Sequence, residues 1–146
     1  MNQVALVGRI TKDPVLRKVA RDRMQTSFVI AINHNFKNMK GEIEADFILC
    51  TLWGRLAENT VKHCGKGSLI GVSGRIQSRT YEREDQSRVY VTEVIGDHVQ
   101  FIATKTRTNN NLYAEPTALH EQKETIVKEE EHFHLPRRED NELPIM

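Results

Sequence analysis

Apolar and polar side chains alternate with a period of two along most of the first hundred residues, and the breaks in that alternation divide the chain into strands with one helix between them. Asn2 to Thr11 reads as a first strand, with Val4 and Leu6 on one face, Ala5 and Val7 on the other, and Gly8 inside. Apolar residues on both faces imply double burial, against a barrel interior on one side and another subunit or a covering loop on the other. Lys12-Asp13-Pro14 ends this strand, because proline lacks the N–H a ladder needs, and a polar, basic link follows. Met24 to Asn33 is a second alternating run that ends near Phe36, with Phe28, Ile30 and Ile32 opposed to Ser27, Val29 and Ala31. Asn38 to Glu42 is a turn.

A third strand, Glu44 to Trp53, contains no glycine or proline and is filled with apolar, β-branched and aromatic residues. The period then changes: Ala57, Val61 and Cys64 form one helical stripe between Gly54 and Gly65, with Gly65 expected as the C-terminal cap. Leu69 to Arg83 returns to alternation, Glu84 to Ser87 is a hairpin tip, and Arg88 to Ile95, continued by Val99 to Ile102, closes the set. Strand, strand, strand, helix, strand, strand is the order of an all-β OB-fold, a five-stranded Greek-key barrel with one short helix. Fold alone does not establish function.

With 146 residues and 38% hydrophobic content, the chain suits one domain of residues 1–104 and an appendage of 105–146. No apolar run is long enough to span a bilayer, and the start lacks the features of a secretory signal, so a cytoplasmic location is expected and no membrane partner. Cys50 and Cys64, without Cys-x-x-Cys spacing, read as reduced thiols rather than a disulfide or zinc site. The net charge of +1 conceals a division. Residues 105–146 hold six Lys or Arg against nine Asp or Glu, net −3, while residues 1–104 hold fifteen against eleven, net +4. A basic body with an acidic tail favours a polyanion on the body.

Within the third strand, Phe47, Leu49, Thr51 and Trp53 share one face, and Ile48, Cys50 and Leu52 form a plain core face on the other. A single aromatic on a strand is more often core than site. The row Arg75, Gln77, Arg79 and Tyr81 changes that reading, because an apolar core would not accept it. Phe36, Phe47, Trp53 and Tyr81 are therefore candidate stacking residues for exposed bases. Arg9, Arg55, Lys66, Arg75, Arg79 and Arg88 are candidate phosphate contacts. Phe28 and Phe101 are assigned to the core. Asp46, Glu58, Glu93 and Asp97 are scattered acids without a catalytic motif, so no enzyme activity, cofactor or metal site is expected. The alternative to a coat on single strands is an OB-fold adaptor of primosomal type that acts mainly through protein contacts.

Several separated stretches resemble the bacterial single-stranded DNA-binding proteins: Val7 to Pro14, Glu44 to Phe47, Trp53 to Asn59, Lys66-Gly67-Ser68, Gly74 to Tyr81 and Val91 to Val94, together covering about 1–103. The resemblance implies an OB-fold subunit that assembles as a homotetramer and protects single-stranded DNA in replication, recombination and repair. It places the family's stacking positions on Phe36, Phe47, Trp53 and Tyr81 and its basic positions on Arg55, Lys66 and Arg79. Relatives often carry tryptophan at stacking positions, whereas this chain has Trp53 alone.

Family tails are rich in Gly, Gln, Pro or Asn and finish in an acidic segment with Pro-Phe, which recruits replication and repair proteins. Here the tail is charged and reads as mostly disordered, with Pro116 to Glu131 compatible with a short helix. Glu139, Asp140, Glu142, Leu143, Pro144 and Ile145 correspond to the partner-binding end, with Ile145 in place of the aromatic. His120, His132 and His134 lack metal-ligand spacing and read as solvated.

Overall fold

The computed structural model describes residues 1–108 and 110–113; the expected tail helix over 116–131 and the end segment Glu139 to Ile145 lie outside the described residues. The elements are β1 (Val4–Ile10), β2 (Arg17–Val19), a short turn of 3-10 helix (Ala20–Asp22), β3 (Arg23–Lys37), β4 (Ile43–Trp53), α1 (Gly54–His63), β5 (Leu69–Glu82) and β6 (Arg88–Ala103). The hydrogen-bonded order is β1-β5-β6-β4-β3-β2, and β1 also pairs with β3. That second pairing closes five strands into a barrel. Every pairing between these strands is antiparallel except β4 with β6, and an isolated bridge between Leu16 and Tyr113 is also parallel. This closed sheet with its helix between β4 and β5 is the OB-fold.

Strand alternation supplies the interior. Ile10, Phe28, Ile30, Cys50, Leu52, Ile70 and Val72 face inward and are almost completely buried, and Ala57 and Val61 of α1 close the same cluster. Full burial of a side chain such as Leu52 contributes roughly 1.5–3 kcal/mol, so this set supplies most of the drive for closure. Opposite Ser73 and Gly74, β6 carries a bulge at Asp97, between His98 and Gly96, which bends it against β5. Glycine is required there, since a Cβ on Gly74 would lie 1.9 Å from the Ile95 carbonyl oxygen. Past the bulge, Gln77 to Glu82 and Arg88 to Glu93 pair only with each other, as a two-stranded arm. Ile76 and Tyr90, on the inward parity, are consequently 46% and 69% exposed.

Four details differ from the sequence reading. The polar link after Pro14 contains β2, which forms a hairpin with β3 through Arg21 and Asp22 at φ of 67° and 58°. No glycine marks this turn in the sequence. Gly65 is not the helix cap: α1 ends at His63, and extended Cys64 donates its N–H to the Thr60 carbonyl at 3.0 Å. Gly65 is instead needed for close approach, since a Cβ there would lie 2.7 Å from Thr106 O and Arg107 Cα. Phe101 is not a core residue; it is 39% exposed and meets the His63 ring edge-on at 5.9 Å. No described loop covers Ala5 and Val7, one of the two expected coverings, and both are exposed in the single chain.

Residues after β6 continue along the barrel. Gly65 N donates to Lys105 O at 2.8 Å, Thr108 N to Asp13 at 3.0 Å and Leu16 N to Leu112 O at 2.7 Å. Arg107 donates to the Pro14 carbonyl and, at 3.2 Å, to that of Val61. Leu112 packs on the core. Among the described residues no helix is long and apolar enough to cross a membrane.

Both cysteines are buried free thiols. Burial, and secondarily the Glu93 charge, pushes Cys50 up to about 12; burial pushes Cys64 up to about 11, partly offset by a bond to Ser68. Unfolded thiols ionise near about pH 8.5. The unfolded chain therefore sheds these protons first, and stability falls as pH rises from about 9 toward 11 and 12. In thiol labelling with an aromatic disulfide at neutral pH, neither cysteine should react on the minute scale until denaturant is added. Rapid native labelling would place a thiol at the surface.

Candidate nucleic-acid interface

Register builds the outer face strand by strand, because paired residues point to the same side of a sheet. On β3 and β4 the pairs are Gln25 with Trp53, Ser27 with Thr51, Val29 with Leu49 and Ala31 with Phe47. Thr51 then pairs with Ile95 of β6, and Ile95 with Arg75 of β5. Further along the arm, Gln77 lies opposite Glu93, Arg79 opposite Val91 and Tyr81 opposite Val89. Phe47 and Trp53 of β4 and Arg75, Gln77, Arg79 and Tyr81 of β5 thus share one face, joined through β6, as the alternation predicts. Val29, Leu49 and Val91 lie on this same face yet are buried, giving it a recessed apolar floor.

A buried carboxylate crosses that floor. Glu93 is 4% exposed and accepts from Arg79 Nε at 3.0 Å and from Thr51 Oγ1 at 2.6 Å. A carboxylate can only accept, so the Thr51 hydroxyl is the donor to it. Ser27 Oγ, 2.9 Å away, therefore donates to Thr51. The chain Ser27–Thr51–Glu93–Arg79 links β3, β4, β6 and β5 and fixes one end of the Arg79 guanidinium, which remains 44% exposed. The Arg79 guanidinium also lies 6.0 Å from the Tyr81 ring centre.

The aromatic candidates have different surroundings. Phe47 is 46% exposed, whereas Trp53 and Tyr81 are half-buried. Arg23 places its guanidinium 4.5 Å from the centre of the Trp53 ring, covering one face of the indole. Phe36 is 69% exposed beyond a bulge in β3. Its ring contacts His34 at 5.4 Å, and His34 is bonded to Asp46 at 2.9 Å. Asp46 alternates with Phe47, so this contact ties Phe36 to the other side of β4 from the Phe47 row.

The cations divide in the same way. Arg9 pairs with Ala31, the partner of Phe47, and donates to Gly67 O at 2.9 Å. Arg75 joins the outer row and donates to Gln77 at 3.1 Å. Arg55 lies exposed on the first turn of α1, and Lys66 follows the helix with its backbone N–H bonded to Asp13 at 2.7 Å. Arg88 pairs with Glu82 at the tip of the arm, on the parity opposite Tyr81.

Sequence reasoning missed three residues of this outer face. Glu93 was one acid among several without a motif; its role follows from contacts between strands that alternation cannot give. Arg17 and Arg23 lie in the basic link whose hairpin carried no glycine signal. Lys18, between them, faces away and forms an exposed ion pair with Asp22 at 3.6 Å.

Arg79→Ala leaves Glu93 buried with one hydroxyl donor. Breaking a fully buried pair costs about 3–5 kcal/mol; with Arg79 nearly half exposed, about 1–3 kcal/mol is expected in urea unfolding. Arg79→Ala combined with Glu93→Gln should cost clearly less than the sum of the single changes. Strict additivity would mean the two side chains are uncoupled.

The family model described as single-strand binding protein family matches residues 1–102. The chain is 56% identical over 106 residues to Single-stranded DNA-binding protein B of Bacillus subtilis (strain 168), covering 73% of this chain and 94% of that protein. It is 48% identical over 120 residues to Single-stranded DNA-binding protein 3 of Listeria innocua serovar 6a, covering 79% and 75%. With the single-stranded DNA-binding protein of Bacillus cereus the identity is 52% over 102 residues, 70% of this chain and 60% of the relative. With its closed barrel, the partly exposed aromatic and basic row, and matches of this extent, the chain belongs to the single-strand binding protein family.

Proposed function

We propose that this protein binds single-stranded DNA without sequence preference and acts as a non-catalytic coat in replication, recombination and repair. The observation that carries this reading is the common face of Phe47, Trp53, Tyr81, Arg75 and Arg79, set by strand register. Bases stack on the aromatics and the basic residues neutralise the intervening phosphates. A base in a duplex has both π-faces occupied, so stacking on these rings selects single strands. Every base has such a face, which makes the binding tolerant of sequence. Arg9, Arg55, Lys66 and Arg88 extend the positive surface beyond the central row, and Phe36 stacks bases that pass around the β3–β4 hairpin.

Exposed Ala5 and Val7 on β1 support assembly with other copies of the chain, as a homotetramer in the cytoplasm. The acidic end containing Glu139, Asp140, Glu142, Leu143, Pro144 and Ile145 serves replication or repair proteins.

Titration of the purified protein with oligo-dT, followed by Trp53 fluorescence, should show saturable quenching that weakens with salt and prefers single strands to duplex. Preference for duplex would sink the reading. Phe47→Ala with Tyr81→Ala should weaken binding by several kcal/mol, from roughly 1–3 kcal/mol per base measured for single-strand-binding barrels in general. Unchanged affinity would remove both rings from the interface.

A further inference from the structure

Arg17 occupies an unusual position. It pairs with Gln25, whose other partner is Trp53, so register puts all three on the outer face in one row. Its guanidinium forms no hydrogen bond among the described residues, although the side chain is half-buried. Arg79 and Glu93 both act on it electrostatically. Glu93 is already bonded by Arg79 and Thr51. The Glu93 carboxylate is ion-paired with Arg79 and, among the described residues, not with Arg17, which leaves one positive charge that a single phosphodiester would neutralise.

The surroundings hold Arg17 in place. Leu16, immediately before it, is 5% exposed in the core, and its N–H is bonded to Leu112 O at 2.7 Å. The Pro14 carbonyl accepts from Arg107. On the far side of the hairpin, Arg23 lies over Trp53 at 4.5 Å. A half-buried guanidinium without a protein acceptor keeps its N–H donors free for water or for a ligand.

We propose that Arg17 binds a backbone phosphate of the single strand at a site bounded by Arg79 and by the Arg23-covered ring of Trp53. The proposal rests on the single-strand reading above and adds the β2–β3 hairpin to the interface. Burial first, and then the neighbouring Arg79 charge, lowers the Arg17 pKa, consistent with a cation short of compensating anion. A guanidinium suits this position because it offers two parallel donors to phosphate oxygens.

The test uses the full chain and oligo-dT across a series of salt concentrations. Arg17→Gln should lower affinity roughly five- to twentyfold and reduce the slope of log K against log salt by about 0.7, the value for one lost phosphate contact on a single strand. Its melting temperature should not fall, as no protein hydrogen bond is lost. Arg17→Lys should keep the slope. Lys18→Gln removes the same charge from the opposite side of β2 and should leave the slope within a third of that change. Should Arg17→Gln melt early, Arg17→Met, which retains the apolar stem, gives the same reading. Wild-type slope and affinity in Arg17→Gln and Arg17→Met, or an equal loss of slope in Lys18→Gln, overturns the proposal while single-strand binding stands. A wild-type protein that prefers duplex overturns both.

Discussion

A carboxylate buried on the outward side of the sheet is the constraint on which the interface depends. Glu93 alternates away from the barrel interior yet is 4% exposed, so its charge must be compensated within the protein. Thr51 and Arg79 supply that compensation at 2.6 and 3.0 Å. Because these donors come from β4 and β5, satisfying the charge also ties the two-stranded arm to the sheet. Without it, the arm beyond Gly74 would be joined to the barrel by few pairings, and Arg79 and Tyr81 would have no fixed place relative to Phe47 and Trp53.

The same bond prepares Arg79 for a ligand. One edge of the guanidinium is spent on Glu93 and the remainder stays accessible, which orients the side chain before any phosphate arrives and reduces the entropy lost on binding. Beneath it, Val29, Leu49 and Val91 give the face a dry floor, and a rigid inner layer of Ile30, Cys50 and Leu52 supports the strands from behind. Stacking energy depends on such rigidity: a ring on a strand loses little freedom when a base covers it. Arg23 over Trp53 modifies this picture, since a base must use the other face of the indole or displace the guanidinium.

Much of this was legible in the sequence because a strand reports its own faces. Alternation alone separates Phe47 and Trp53 from Cys50 and Leu52, and separates Arg79 and Tyr81 from Ile70 and Val72. It does not report what lies across from a residue on a distant strand. That is why Glu93 passed as an unremarkable acid. Phe36 has the parity of Ile30 and Ile32, opposite to Ala31, the partner of Phe47, so its grouping with Phe47 came from the family resemblance and not from alternation. Arg21 and Asp22 hide the β2–β3 hairpin by adopting left-handed conformations without glycine. Gly65 gave the reverse error: a glycine after a helix suggests a cap, but the segment passing over it at Thr106 and Arg107 is what requires the missing side chain.

Tyr81 and Tyr90 provide an internal comparison, since they sit on the same arm with opposite parity, and Tyr90 is the more exposed at 69%. A photoactivated oligo-dT carrying 5-iodouracil, cross-linked to the protein and mapped by mass spectrometry, distinguishes the two faces. Adducts at Phe47, Trp53 and Tyr81, with Tyr90 unmodified, are the expected result. Adducts concentrated at Tyr90, with the outer row unlabelled, would contradict the assignment of the single-strand path to the face organised by Glu93.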